Sequence, residues 1–300
     1  MRTTLDTPAD FELGSAVCSH GFFVLSPNRW DSAGRALTTV ITLDDDTAVR
    51  VTVRAVGQTA LRIASPASLP ANQRAAVRRA VIRMLRLDED LGSFHALCER
   101  HPSHQAAARM RFGRLLRSAT LFEDCVKVIC TCNVAWRQTV GMIERIVATW
   151  GVPTPDGLPR GFPTPALLAA VPSDELKRVA RVGYRADFIH RLATEVATGG
   201  LDLAAFESFA GDSDELHHRL CRIRGIGPYA AANLAMLLGR YDRLAVDTEL
   251  VRFFRERHPR LNPTPARIQA YYRRWHPYEF LAYWYELWQG YVARHGPADT

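Results

Sequence analysis

The segment Cys221-Arg-Ile-Arg-Gly225-Ile-Gly227-Pro-Tyr229 joins two stretches with helical patterning, and its residue types suit one task. Glycines let a backbone approach a ligand closely. A helix that opens at proline presents free N–H groups and a positive dipole end, which together suit a phosphate. On its own, a Gly-x-Gly turn reads as a plain helix–turn–helix link with a glycine C-cap. Two additions favour the phosphate clamp: Ile223 and Ile226 are spaced to anchor a compact hairpin, and Asp247 follows 20 residues after Gly227, in Ala245-Val-Asp-Thr-Glu249. Asp247 also precedes an apolar-periodic helix, where aspartate serves as an N-cap.

Other reactive side chains are few. Lys127 and Lys177 are the only lysines, so 36 of the 38 basic residues are arginine and a lysine nucleophile has two candidates. The six cysteines are too scattered for the disulfide framework of a small secreted scaffold and read as reduced thiols. Cys98, His101 and His104 form the one metal-like cluster, but Pro102 interrupts it and no fourth ligand follows, so a buried cysteine beside loop histidines is the simpler reading. Cys130 and Cys132 do not face each other on a helix and read as core. Basic residues outnumber the 31 acidic ones to give +7, which points to an acidic polymer as partner. At 47% hydrophobic and 23% charged over 300 residues, the chain is neither disordered nor fibrous. It lacks a membrane-length apolar run, and Met1 to Asp10 is polar and acidic rather than signal-like, so a cytoplasmic protein is expected.

The elements that must position these residues divide in two. Leu37 to Leu43, Ala48 to Val56 and Ala60 to Ala64 alternate with period two between turns, which predicts an antiparallel meander. From Asn72 to Leu87 the period becomes helical, and helices continue to His295, among them Gln105 to Arg117, Asp202 to Ala210 and Pro265 to Trp275. The expected fold is α+β: a small antiparallel sheet domain over residues 1–90, then a mostly helical, two-lobed domain over residues 91–300 containing the helix–hairpin–helix. The aromatic segment His20 to Trp30 either reaches a pocket or forms a β-hairpin sealing the sheet onto the helices; the sequence leaves both open.

The hairpin, the Gly/Pro segment and the aspartate resemble those of the helix-hairpin-helix superfamily of DNA glycosylases. The likeness extends in order through Phe122-Glu-Asp-Cys, Val128 to Asn133, Gly141 to Arg145, Gly161-Phe-Pro-Thr-Pro165 and Val182-Gly-Tyr-Arg-Ala186, as in eukaryotic-type 8-oxoguanine glycosylases, and covers roughly Leu91 to Tyr291. The resemblance implies that Asp247 is the catalytic carboxylate, stabilising an oxocarbenium-like sugar and helping to activate or orient water. It implies that Asn133 fills the gap left by a flipped base, Tyr184 wedges into the stack, Arg185 contacts the estranged base, and Gly225 and Gly227 hold phosphate. Carbonyls of Cys221, Ile223 and Ile226 would share a monovalent cation; no side-chain metal site is implied. Bifunctional members carry a lysine where this chain has Tyr229, and tyrosine cannot form a Schiff base. A monofunctional enzyme using water is therefore expected, and an aromatic there resembles 3-methyladenine glycosylase II, whose aromatic pocket takes alkylated bases.

In the 8-oxoguanine branch a cysteine sandwiches the base, and this chain has Asn233 at that position. Tyr283 and Leu287 replace the branch's glutamine and phenylalanine. Tyr283 and Trp284 are candidate base contacts in an otherwise core-forming aromatic helix. No cysteine follows Cys221, which excludes the iron–sulfur cluster of some relatives. The expectation is thus a cofactor-free base-excision enzyme on double-stranded DNA, releasing an alkylated purine first and oxidised guanine second. The alternative is a non-catalytic protein that binds DNA lesions through the same hairpin.

Overall fold

The computed structural model describes residues 1–296; residues 297–300, the end of the expected helical unit, lie outside them. Strands β1 (Arg2–Asp6), β2 (Arg29–Asp31), β3 (Ala36–Thr42), β4 (Ala48–Val56) and β5 (Ala60–Ala64) form one antiparallel sheet in the order β1-β5-β4-β3-β2. The meander β3-β4-β5 is held in a register that pairs Thr39 with Val51 and Val53 with Ile63. Alternation along β4 buries Val49, Val51 and Val53 in the main core, while Val40 and Ala48 meet Val152 in a small separate cluster. The outer strands were less legible. β1 is only five residues long and carries a single buried side chain, Leu5, so its alternation is too short to stand out.

Between β1 and β2 lie α1 (Leu13–Val17) and a 3-10 turn, Gly21–Val24. After the sheet come α2 (Ala71–Leu85), α3 (Gly92–Glu99) and α4 (Gln105–Arg109). The helix expected through Arg117 stops at Arg109, because Arg111 and Gly113 take φ of 55° and 127° and turn Leu115 and Leu116 into the core. Helices α5 (Leu121–Thr131), α6 (Trp136–Trp150), α7 (Pro165–Ala169), α8 (Ser173–Ala180) and α9 (Arg185–Ala197) follow, with a two-residue ribbon of β6 (Val152–Pro153) and β7 (Arg160–Gly161) against β3 and β4. Next come α10 (Ala204–Glu207), α11 (Ser213–Cys221), α12 (Pro228–Leu237), α13 (Thr248–Arg257), α14 (Pro265–Tyr272) and α15 (Glu279–His295). The expected Asp202 to Ala210 helix shrinks to one turn, since the Asp202 carboxylate ties up the Ala204 N–H.

The helices form two lobes. α5 to α9, α11 and α12 pack together in one. α3, α4 and α13 to α15 form the other, where Phe112 meets Tyr285 and Trp288, and His104 lies against Trp275. The fold class expected from the sequence, a small antiparallel sheet followed by a two-lobed helical region, is the one observed. The main hydrophobic core runs from the sheet through both lobes. Arg86, which ends α2 in the left-handed conformation, fixes this arrangement by donating to the carbonyls of Leu115, Met236 and Leu237 at 2.7–2.9 Å, and so caps the C-terminus of α12.

Candidate nucleic-acid cleft and active site

The hairpin between α11 and α12 is shaped by its two isoleucines and two glycines. Ile223 and Ile226 are 5% and 3% exposed, and the Ile226 N–H donates to the Ile223 carbonyl at 3.0 Å. Gly225 has φ +90°, and a Cβ there would fall 2.5 Å from Cβ and Cγ of Phe188 on α9, so only glycine closes the turn against that ring. Gly227 differs: its φ is −84° and the space beside its Cα is open. No side chain caps Gly227, and Pro228 begins α12, so the first-turn N–H groups point outward at the positive helix end.

Asp247 is the N-cap of α13, and its Oδ1 accepts from the Leu250 N–H at 2.8 Å. That bond fixes the orientation of a half-buried carboxylate at the cleft wall. Tyr229, on the first turn of α12, lies beside it: burial, then the Asp247 carboxylate, push the phenol up to about 12. Tyr283 is held well above its ordinary value by burial, with Asp247 and Glu249 next in effect. Both phenols stay neutral and hold their protons over the working pH range. The Asn233 amide donates to the Tyr229 carbonyl one turn back, at 3.0 Å.

These groups share an open cleft of about 1770 Å³ between the lobes. Every site residue singled out in the sequence lines it: Asn133, Tyr184, Arg185, Gly225, Gly227, Tyr229, Asn233, Asp247, Tyr283, Trp284 and Leu287. Asn133, two residues beyond α5, has φ 52°, a left-handed conformation that asparagine tolerates, and donates to the Tyr184 hydroxyl at 3.2 Å. Tyr184 is 52% exposed at the cleft rim beside Asn133. Arg185 is turned inward: its guanidinium donates to the carbonyls of Val182 and Cys132 and sits 4.6 Å from the Tyr184 ring. Tyr283 is buried among Phe253, Phe280 and Trp284, and Trp284 stacks on Phe280 at 5.8 Å. Among the hairpin carbonyls read as cation ligands, that of Ile223 also accepts the Ile226 N–H.

Cleft-lining residues beyond those assigned roles include His20, Gly21, Phe22, Trp136, Phe188 and Phe280. The aromatic segment from His20 thus reaches the cleft as a 3-10 turn, and only Arg29–Asp31 joins the sheet. Trp136 is an exposed indole at the start of α6, folded over Gly21 so closely that a Cβ on the glycine would strike it. Neither lysine lines the cleft. Lys127 is buried, bonded to Glu123 at 2.6 Å and flanked by the rings of Phe22 and Phe162, while Lys177 lies exposed on α8. Cys98 and His104 are buried, with His104 3.2 Å from the Ala282 carbonyl oxygen. No cluster of three or more His, Cys, Asp or Glu side chains suited to a metal occurs among the described residues.

Known proteins with the same architecture were found by comparison. The 3-methyladenine DNA-glycosylase of Archaeoglobus fulgidus superposes with a TM-score of 0.76, covering 97% of this chain and 99% of that one at 17% identity. The fold is that of the helix-hairpin-helix DNA glycosylases. The apo-form of Clostridium acetobutylicum 8-oxoguanine glycosylase/lyase is similar too, at a TM-score of 0.73 and 17% identity over 95% of each chain. In sequence, the chain is 30% identical to DNA-3-methyladenine glycosylase 2 of Escherichia coli over 184 residues, 59% of this chain and 61% of that protein's length. No family model matches the chain. The sequence resemblance to this superfamily is therefore borne out. Among the described residues, no helix is long and apolar enough to cross a membrane.

Proposed function

We propose that this chain is a monofunctional DNA glycosylase, a cytoplasmic base-excision enzyme that flips a damaged purine out of double-stranded DNA and hydrolyses its N-glycosidic bond. The observation that carries the reading is the convergence on one cleft of a cap-oriented carboxylate, an aromatic wall and a phosphate-suited hairpin. A base in the stack is out of reach of any side chain, so extrusion precedes chemistry, and an open cleft between lobes gives it a destination. The hairpin N–H groups hold the strand, with a monovalent cation on the carbonyls of Cys221, Ile223 and Ile226. Asn133 and Tyr184, already hydrogen-bonded to each other, fill the vacated stack. Arg185 exchanges one of its carbonyl partners for the estranged base.

Departure of the base leaves positive charge on the sugar. The fixed Asp247 carboxylate binds that charge more tightly than it binds the neutral ground state, and such a preorganised charge in a partly dehydrated cleft lowers the barrier directly. Water then completes the hydrolysis. Tyr229 supplies no amine, and Lys127 is occupied by Glu123 behind Phe22, so no imine forms. Neutral tyrosines and the Phe280–Trp284 stack suit an electron-poor alkylated purine, with oxidised guanine second. The Escherichia coli relative is named for 3-methyladenine, in keeping with that order. The test is treatment of reacting duplex with borohydride in parallel with hot alkali: the proposal requires no trapped adduct and strand breaks only after alkali. A borohydride-trapped complex would make the chain a lyase.

A further inference from the structure

His20 is the one imidazole on the described cleft wall, and its two nitrogens are not equivalent. Nε2 lies 2.6 Å from the Leu116 carbonyl oxygen. A carbonyl only accepts, so Nε2 carries the proton and, in the neutral ring, Nδ1 keeps a lone pair. Nδ1 has no hydrogen-bond partner among the described residues. Nor is it one of the polar atoms sealed from solvent without a partner. The ring itself is clamped. The Leu116 N–H donates to Ser19 Oγ at 3.1 Å, Ser19 Oγ–H donates to the Ala16 carbonyl, and the Trp284 indole N–H donates to the Ser19 carbonyl at 2.7 Å. Phe22 tilts against the imidazole at 4.7 Å and Trp284 meets it edge-on at 6.5 Å. Burial holds the imidazole down at about 4 against the opposing hydrogen bond to Leu116, with smaller effects from Arg86 and Lys127 (lowering) and Asp124 (raising), so the ring is neutral at physiological pH and does not repel a cationic base.

The Trp284 N–H is spent on Ser19, and Phe22 and Phe280 offer only ring faces. A preoriented acceptor flanked by such rings is the arrangement by which a pocket rejects a ligand that cannot satisfy it. We propose that His20 is a specificity-determining residue: its Nδ1 accepts a hydrogen bond from an N–H on the edge of the extruded purine, selecting bases with a ring or exocyclic N–H there. This rests on the glycosylase reading and narrows its substrate class to purines that keep such a donor.

The test pairs enzyme and substrate changes under single-turnover conditions. Duplexes carry 7-methylguanine or 3-methyladenine, which keep N–H donors, or 1,N6-ethenoadenine, whose amine is closed into a ring without one. His20→Phe keeps the ring volume and removes the acceptor. It should slow release of the donor-bearing bases about 10- to 100-fold while leaving ethenoadenine release within about twofold. His20→Gln retains a donor for Leu116 and an acceptor for the base, so it should restore at least a third of the discrimination even if the Phe variant does not fold. Equal slowing on all three bases, or no slowing on any, overturns the assignment to His20 while leaving the glycosylase intact. Absence of release by the wild type from every duplex overturns the glycosylase reading, and this assignment with it.

Discussion

Gly225 and Gly227 stand two residues apart in the same turn, yet substitution by alanine should harm the protein in different ways. At Gly225 the backbone has φ +90°, which costs an L-residue roughly 1–2 kcal/mol, and the new methyl would lie 2.5 Å from Phe188 Cβ and Cγ, atoms too close to the α9 backbone to swing away. Overpacking of that kind costs about 1–3 kcal/mol, and reduced freedom of the unfolded chain returns about 0.5–1. Gly225→Ala should therefore lose about 2–4 kcal/mol. At Gly227 the backbone has φ −84° and an added Cβ meets nothing within 4 Å, so folding should change by no more than about 1 kcal/mol, mostly from the poorer N-cap. The same methyl projects where a phosphate must approach the α12 N–H groups, and DNA affinity should fall about tenfold or more. Urea unfolding and fluorescence anisotropy with an abasic-analogue duplex at fixed salt separate the two effects. Wild-type affinity in Gly227→Ala would refute the phosphate-clamp reasoning, and wild-type stability in Gly225→Ala would refute the packing argument.

Arg86→Ala strips three buried carbonyls of their donor and should destabilise by about 4 kcal/mol in urea unfolding. Arg86→Lys should recover less than half, because a single ammonium cannot span Leu115, Met236 and Leu237. His20, held near 4 by burial, binds its proton later in the folded than in the unfolded chain, so its contribution is intact above about pH 6.5 and is lost as pH falls toward 4. Between pH 7.5 and 5, His20→Gln should lose about 2 kcal/mol less stability than wild type in parallel urea titrations; equal losses would contradict the burial of the ring. In the borohydride assay, wild type should give no covalent adduct, and Tyr229→Lys, which places an amine beside Asp247, is the variant in which one is expected.

Features written locally in the chain were the legible ones. The hairpin depends on Ile223, Gly225, Ile226 and Gly227 within five positions, and the meander on period-two alternation between turns, so both could be read from neighbours in sequence. The cap position of Asp247 was readable for the same reason. What escaped depends on contacts across the chain. His20 and Phe22 join the cleft because Trp284 bonds to Ser19, 265 residues away, and no pattern within a window of twenty residues carries that. The inward turn of Arg185 onto the Cys132 carbonyl joins residues 53 apart. The shortened helix after Gln105 was masked by Leu115 and Leu116, whose spacing continues a helical stripe even though Gly113 has already broken the backbone. Trp136 starts α6 as an exposed indole, and a helix start carries no periodic signal that separates a rim aromatic from a core one.

Single-turnover base release by wild type and Asp247→Asn tests the central claim most directly. Duplexes should carry 3-methyladenine, 7-methylguanine, 8-oxoguanine, hypoxanthine or uracil in turn, with duplex affinity measured alongside. Asparagine keeps the cap acceptor for Leu250 but removes the charge, so folding and binding should persist while release falls by at least about a hundredfold. Wild-type release rates in Asp247→Asn, or tight duplex binding by a wild type that releases none of these bases, would contradict the account and favour a protein that recognises lesions without cutting the glycosidic bond.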